Sequence, residues 1–233
     1  MAATETIDLL VSGILFDSDG TLIDSTPAVS RFLRAWCQRQ SLDPRVLAVD
    51  PLIHGVRTKD VLRKHQRVPT KGSETKEEDL EAEAKKVEQE VLATGGGQDF
   101  VISALKLAGI KHIPFVISGE QTLRGKPSPE PFLAGLQVLE TRIATKLDPS
   151  TVLVVEDSPA GIASGLAAGC QVITVCTGPV KEAESVKIAR TNSDGIHVVR
   201  DLTQVEVVGI EEGKLKLRIK PVDLSLDRSE IRL

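Results

Sequence analysis

Two aspartates, Asp17 and Asp19, stand one residue apart in GILFDSDGTLIDSTP (13–27), where an apolar run meets a glycine. Alternate side chains of an extended segment point the same way, so this spacing lets both carboxylates face one reacting group. Two more acids, Glu156 and Asp157, close the apolar run TVLVVED (151–157). Lys126 lies in RGKPSPEPF (124–132), and Thr94 is followed by three glycines, Gly95 to Gly97. Four carboxylates brought together repel one another unless a cation sits among them, and Mg²⁺ suits oxygen ligands while keeping some of its waters. A glycine turn at a helix start offers backbone N–H groups to an anion such as phosphate, and lysine adds a compact positive charge. Metal, anion site and a spare carboxylate are the parts of phosphoryl transfer. Taken singly each is ordinary: Asp and Gly serve turns, acids favour helix N-termini, and lysines cover surfaces. Their shared place at the ends of apolar runs joins them.

The elements that must position them alternate. LLVSGILF (9–16) reads as a strand buried on both faces. Residues 25–40 read as a helix, with Thr26 as N-cap and Pro27 as first helical residue. LATGGGQDFVISALKLAGI (92–110) reads as a short strand, a glycine turn and a helix ended by Gly109. A strand follows at 113–118, a helix at 128–143, a strand at 151–157, a helix at 158–170 capped by Ser158, and a strand at 171–177. Near-continuous Val/Ile/Leu strands alternating with helices predict an α/β fold, a Rossmann-like parallel sheet covered on both faces. Ligands of such sheets bind at the carboxyl ends of the strands, where the acids, the threonine and the lysine fall. The tail from Ile196 alternates around EEGK and predicts a C-terminal hairpin.

The chain has 233 residues, enough for one core and a small inserted domain. Its net charge of −4 comes without a basic stripe, which argues against nucleic acid as partner. The N-terminus lacks the basic flank and apolar stretch of a signal peptide. No apolar run approaches a membrane span, so a cytoplasmic protein is expected. Cys37, Cys170 and Cys176 have no metal-like spacing and read as free thiols.

LFDSDGTLIDST, LAT before a helix, RGKPSPEPF and VLVVEDSPAGIASGLAAG resemble, in order, the four motifs of the haloacid dehalogenase-like hydrolases. HGVRTKDVL (54–62) resembles the cap of the fungal phosphatases that act on 2-deoxyglucose 6-phosphate and polyol phosphates. The resemblance implies a catalytic core of residues 1–24 and 91–233 and a helical cap of residues 25–90. It implies Mg²⁺-dependent hydrolysis of a small phosphate ester through an aspartyl-phosphate. Asp17 would be the nucleophile and Asp19 the general acid and base. Asp17, the Asp19 carbonyl and Asp157 would hold the metal, with Glu156 beside it. Thr94, Gly95 and Lys126 would bind the phosphoryl group, and His54 and Arg57 would read the organic half. Phosphosugar mutases of the same superfamily usually carry a histidine where Val29 stands, twelve residues after the nucleophile, so hydrolysis is preferred. A weakly active or inactive relative is the other alternative.

One stretch looks short for that plan. Between His54 and Thr94 there is no Pro-Gly pair and one convincing long helix, residues 75–90. A helix of about 16 residues spans roughly 24 Å, one pass along a sheet. It cannot both complete a cap and make the crossover that a parallel strand requires. The apolar run before Thr94 is only VLA, against about five to six residues for an average strand. A chain shortened near residues 70–91, with a stunted second strand, is expected.

Overall fold

The computed structural model describes residues 5–24, 97–118, 121–177, 182–191 and 195–222, with Pro27 and Gln38 as isolated helical positions. The expected cap with its helices at 25–40 and 75–90, apart from the isolated Pro27 and Gln38, and the short strand before Thr94 lie outside the described residues.

The described chain runs β1 (Ile7–Val11), β2 (Gly13–Phe16), α1 (Gly97–Leu107), α2 (Glu130–Ile143), β3 (Val152–Glu156), α3 (Pro159–Ala167) and β4 (Gln171–Val175). It continues as α4 (Glu182–Thr191), β5 (Ile196–Val199), β6 (Val205–Glu211) and β7 (Lys214–Ile219). Strands β2, β3, β4 and β5 form a parallel sheet in that order. Strands β1, β7 and β6 form a separate antiparallel sheet. Residues 9–16 are therefore not one strand. The chain changes sheets at Ser12, whose N–H donates to the Thr151 carbonyl at 2.7 Å, and Gly13 restarts beside Val152.

Side chains alternate across β3, and each set enters its own core. Val152 and Val154, with Val172 and Val198, pack under Phe132 and Leu136 of α2, Ile162 of α3 and Val186 of α4. Leu153 and Val155, with Ile173, Val175 and Val199, pack against Val11, Leu217 and Ile219 of the antiparallel sheet. Each fully buried Val, Leu or Ile contributes about 1.5–3 kcal/mol. Among the described residues, the parallel sheet thus has α2, α3 and α4 on one face and the antiparallel sheet on the other. The expected hairpin is β6–β7. Glu212 (φ 52°) and Gly213 (φ 74°) both adopt the left-handed conformation of its two-residue turn. Its outer face carries the Arg218–Asp8 pair at 2.9 Å and the Lys216–Glu211 pair at 2.7 Å.

Two elements escape the sequence reading and one expected element does not form. Helix α4 and the four-residue β5, assigned above to no element and to the hairpin tail, complete the parallel sheet. Residues 113–118 form no strand and are at most half-buried; the composition of an apolar run does not by itself specify a strand ladder. Among the described residues, β2 is the edge of the parallel sheet. Phe16 at its end is 47% exposed, whereas every residue of β3 is buried. Helix α2 begins at Glu130, two residues later than expected, after Pro129. No helix among the described residues is long and apolar enough to cross a membrane.

Candidate active site

Asp17 follows β2 directly and still belongs to its ladder, its N–H donating to the Val155 carbonyl at 2.9 Å. The chain then reverses. Leu22 N–H donates to the Ser18 carbonyl at 2.9 Å and Gly20 N–H to the Ile23 carbonyl at 2.7 Å. Gly20 takes φ 87°, and a Cβ there would stand 2.0 Å from Asp157 Oδ2. The glycine after the second aspartate is therefore required twice, by the turn and by the acid packed against it. Thr177 holds the same turn from the end of β4, donating to the Gly20 carbonyl at 2.6 Å.

Glu156 ends β3 and is fully buried. Its Oε2 accepts from Asp157 N–H at 2.7 Å, Ser158 N–H at 2.7 Å and Ser158 Oγ at 2.9 Å. Its Oε1 accepts from Lys126 Nζ at 2.5 Å. Ser158 also accepts from Gly161 N–H at 3.1 Å, capping α3 as its sequence position predicts. Lys126 arrives from the loop before α2, lies over the Phe132 ring at 5.3 Å, and donates to Asp17 Oδ1 at 2.5 Å. One ammonium thus bridges carboxylates from two neighbouring strand ends.

The arrangement brings Asp17, Lys126, Glu156 and Asp157 together at the carboxyl end of the parallel sheet. Asp17, Glu156 and Asp157 each present an oxygen within 4.8 Å of the others. Asp17 Oδ2 is buried with no hydrogen-bond partner. Clustered oxygens with an open acceptor suit a hard divalent cation. Asp19 lies in the turn, exposed, its side chain outside that cluster. Thr94, Gly95, His54 and Arg57 lie outside the described residues. Sequence reasoning missed Gly161, whose Cβ would stand 1.7 Å from Glu156 Oε1. A glycine one turn after an acid-serine pair at a helix start was its visible signal.

Charge in this cluster is costly without a cation. Burial, then the charges of Asp17 and Glu156, push the Asp157 carboxyl up from 3.8 to about 8. Burial likewise pushes Glu156 up, against the pull of Lys126. Burial alone would lower Lys126, but the Asp17 and Glu156 carboxylates outweigh it and hold its ammonium well above the ordinary range. The raised Asp157 stabilises the fold while it keeps a proton that the unfolded chain has lost. That contribution is full below about pH 4 and disappears as pH rises through about 8. Asp8, held low by its hydrogen bond to Arg218, acts in the opposite sense below about pH 4, and His197, lowered from 6.5 by burial, does so below about pH 6.5. Metal-free protein should therefore melt at a lower temperature at about pH 9 than at about pH 7.5, above both of those ranges, and Mg²⁺ should raise the midpoint more at pH 9. Scanning calorimetry in EDTA and in Mg²⁺ measures both. Equal midpoints at the two pH values in EDTA would contradict the assignment.

The sequence signature of the haloacid dehalogenase-like hydrolases matches residues 58–175. Hexitol phosphatase A of Escherichia coli is 34% identical over 192 residues, covering 70% of this chain and 82% of that protein. Glycerol-1-phosphate phosphohydrolase 2 of Saccharomyces cerevisiae is 31% identical over 229 residues, covering 82% of this chain and 90% of that one. Because 82% of a 233-residue chain falls well short of 229, the yeast protein carries residues with no counterpart here. Among solved structures, the β-phosphoglucomutase of Clostridium difficile shares the fold, with a TM-score of 0.60 at 16% identity over 84% of this chain and 93% of that one. A signature over half the chain and a relative above 30% identity along most of its own length lead to one assignment: the chain belongs to the haloacid dehalogenase-like hydrolases.

Proposed function

We propose that the protein is a Mg²⁺-dependent phosphatase that hydrolyses a small polyol or sugar phosphate, with Asp17 as its nucleophile. The observation that carries this is the Lys126 ammonium shared at 2.5 Å between Asp17 Oδ1 and Glu156 Oε1, while Asp17 Oδ2 is left without a partner. Asp17 attacks phosphorus, and the bond from phosphorus to the alcohol oxygen breaks as the acyl-phosphate bond forms. Asp19 protonates the departing alkoxide. It then takes a proton from the water that attacks the phosphoenzyme, releasing phosphate and restoring the Asp17 carboxylate. Lys126 holds the charge of the phosphoryl oxygens, together with Thr94 and the Gly95 backbone. Asp17, Asp157 and the Asp19 carbonyl, with Glu156 beside them, would hold Mg²⁺, which supplies positive charge to the transferring group.

His54 and Arg57 are proposed to contact the alcohol half. The names of the two relatives, a hexitol and a glycerol phosphatase, favour a polyol phosphate. Val29, in the place of a mutase histidine, favours release of phosphate over isomerisation. Cys170 and Cys176, neither of them in a disulfide, suit a reducing cytoplasm. Phosphate release from glycerol 1-phosphate, sorbitol 6-phosphate, 2-deoxyglucose 6-phosphate and glucose 1-phosphate, each with Mg²⁺ and with EDTA, tests the proposal. Release from at least one ester that EDTA abolishes is expected. Conversion of glucose 1-phosphate to its isomer without release, or release undiminished in EDTA, would sink it.

The same proposal includes a core shortened before Thr94. Three observations support it: the longer relative, the failure of residues 113–118 to form a strand, and the exposed Phe16 at the edge of β2. Inserting a relative's helix–strand segment before Val91 is expected to raise both turnover and melting temperature. No gain in either quantity would refute the shortening.

A further inference from the structure

Lys126 is held by more than its two carboxylates. The loop that carries it is tied at two places. Outside, Arg124 pairs with Glu130 through its N–H at 2.8 Å and its Nε at 2.5 Å, with the arginine side chain 76% exposed. Inside, Ser164 of α3, fully buried, donates from Oγ to the Ser128 carbonyl at 2.6 Å. An exposed ion pair contributes little, whereas a buried hydroxyl–carbonyl bond is costly to remove. Only Pro127 separates Ser128 from Lys126, and a proline ring fixes φ and leaves little slack between them. Displacement of the Ser128 carbonyl is therefore passed to the lysine.

The helix that supplies Ser164 is the one whose first turn clamps Glu156, through Ser158 and through the missing Cβ of Gly161. Helix α3 thus sets both halves of the Lys126–Glu156 contact, the acid from its start and the lysine loop from its next turn. We infer that Ser164 is a positioning residue for phosphate binding: it fixes the Lys126 loop against α3 so that the ammonium meets the phosphoryl group beside Asp17. This rests on the phosphatase reading and adds to it a residue that neither touches phosphate nor belongs to the metal cluster.

The test is calorimetric titration of inorganic phosphate into the Mg²⁺-loaded protein, and of Mg²⁺ into the metal-free protein, for wild type, Ser164→Ala and Ser164→Cys. Cysteine nearly keeps the volume and is a weak donor, so it serves if alanine loosens the helix. Both variants should weaken phosphate binding about three- to tenfold, the range expected for one buried hydrogen bond, and leave the Mg²⁺ affinity within about twofold. Unchanged phosphate affinity in both variants would overturn the inference and leave the phosphatase reading intact. Equal weakening of phosphate and Mg²⁺ would reduce Ser164 to general stability and also overturn it. A wild-type protein that binds Mg²⁺ but no phosphate would overturn both readings.

Discussion

Asp17→Asn is expected to bring phosphate release to background while leaving the fold in place. An amide oxygen is a poor nucleophile and cannot form the acyl-phosphate that splits hydrolysis into two steps. The substitution is nearly isosteric, and the backbone pairing of residue 17 to Val155 does not depend on the side chain. Lys126 keeps Glu156 as a partner at 2.5 Å. One of the charges that push Asp157 upward is also removed, so the metal-free variant should hold its melting temperature at alkaline pH better than the parent does. Phosphate assay, circular dichroism and a melt in EDTA read the three effects. Steady turnover by the purified variant would remove Asp17 from the chemistry, and a collapsed dichroism spectrum would show that its role is structural.

Gly161→Ala is expected to be the most damaging single methyl in the site. The new Cβ would stand 1.7 Å from Glu156 Oε1, 1.8 Å from its Cδ and 2.4 Å from its Oε2. Glu156 has nowhere to turn, because it is fully buried and its two oxygens already accept four donors. Either the carboxylate leaves its partners or the first turn of α3 unwinds. Breaking a buried charge pair costs about 3–5 kcal/mol, a large share of the roughly 5–15 kcal/mol that holds a typical domain folded. A fall in melting temperature on the order of 10 °C is expected, with loss of phosphate binding as Lys126 loses its acid partner. A soluble variant with the parent's melting temperature would mean that Glu156 is not clamped as described.

The chemistry was more legible in the sequence than the architecture around it. Asp17, Glu156 and Asp157 are legible from their places at strand ends, because local apolar runs and capping residues locate strand ends well, and Lys126 from its loop just before a helix. Ser158 was legible as a cap since capping is a local rule, and the EEGK turn as a hairpin for the same reason. The sheet change at Ser12 was not, because LLVSGILF is one apolar run and nothing within it says that its halves find different partners. β5 was hidden by its length of four residues. The run at 113–118 has every strand signal in its composition, yet a ladder depends on register and pairing that no single run encodes. Gly161 and Ser164 were overlooked because their importance lies in what packs against them, which spacing along a helix does not reveal.

The exchange of sheets at Ser12 bears on how the enzyme comes to exist during synthesis. Ile7 pairs with Ile219 and Gly13 with Val152, so the segment bearing the nucleophile finds its partners near the middle and the far end of the chain. At about 5–20 residues per second of translation, that segment waits on the order of ten seconds or more for its last neighbour. Pairings so distant in sequence also close slowly. Until β7 emerges, β1 has no ladder and Val11 has no Leu217 or Ile219 to pack against. A nascent chain in that state displays an apolar strand of the kind that chaperones hold and aggregates recruit. A stop codon between Asp157 and Lys214 would then disable the enzyme from a distance: Asp17, Lys126, Glu156 and Asp157 would already be made, but β1, which leads into the strand before Asp17, would have lost its ladder.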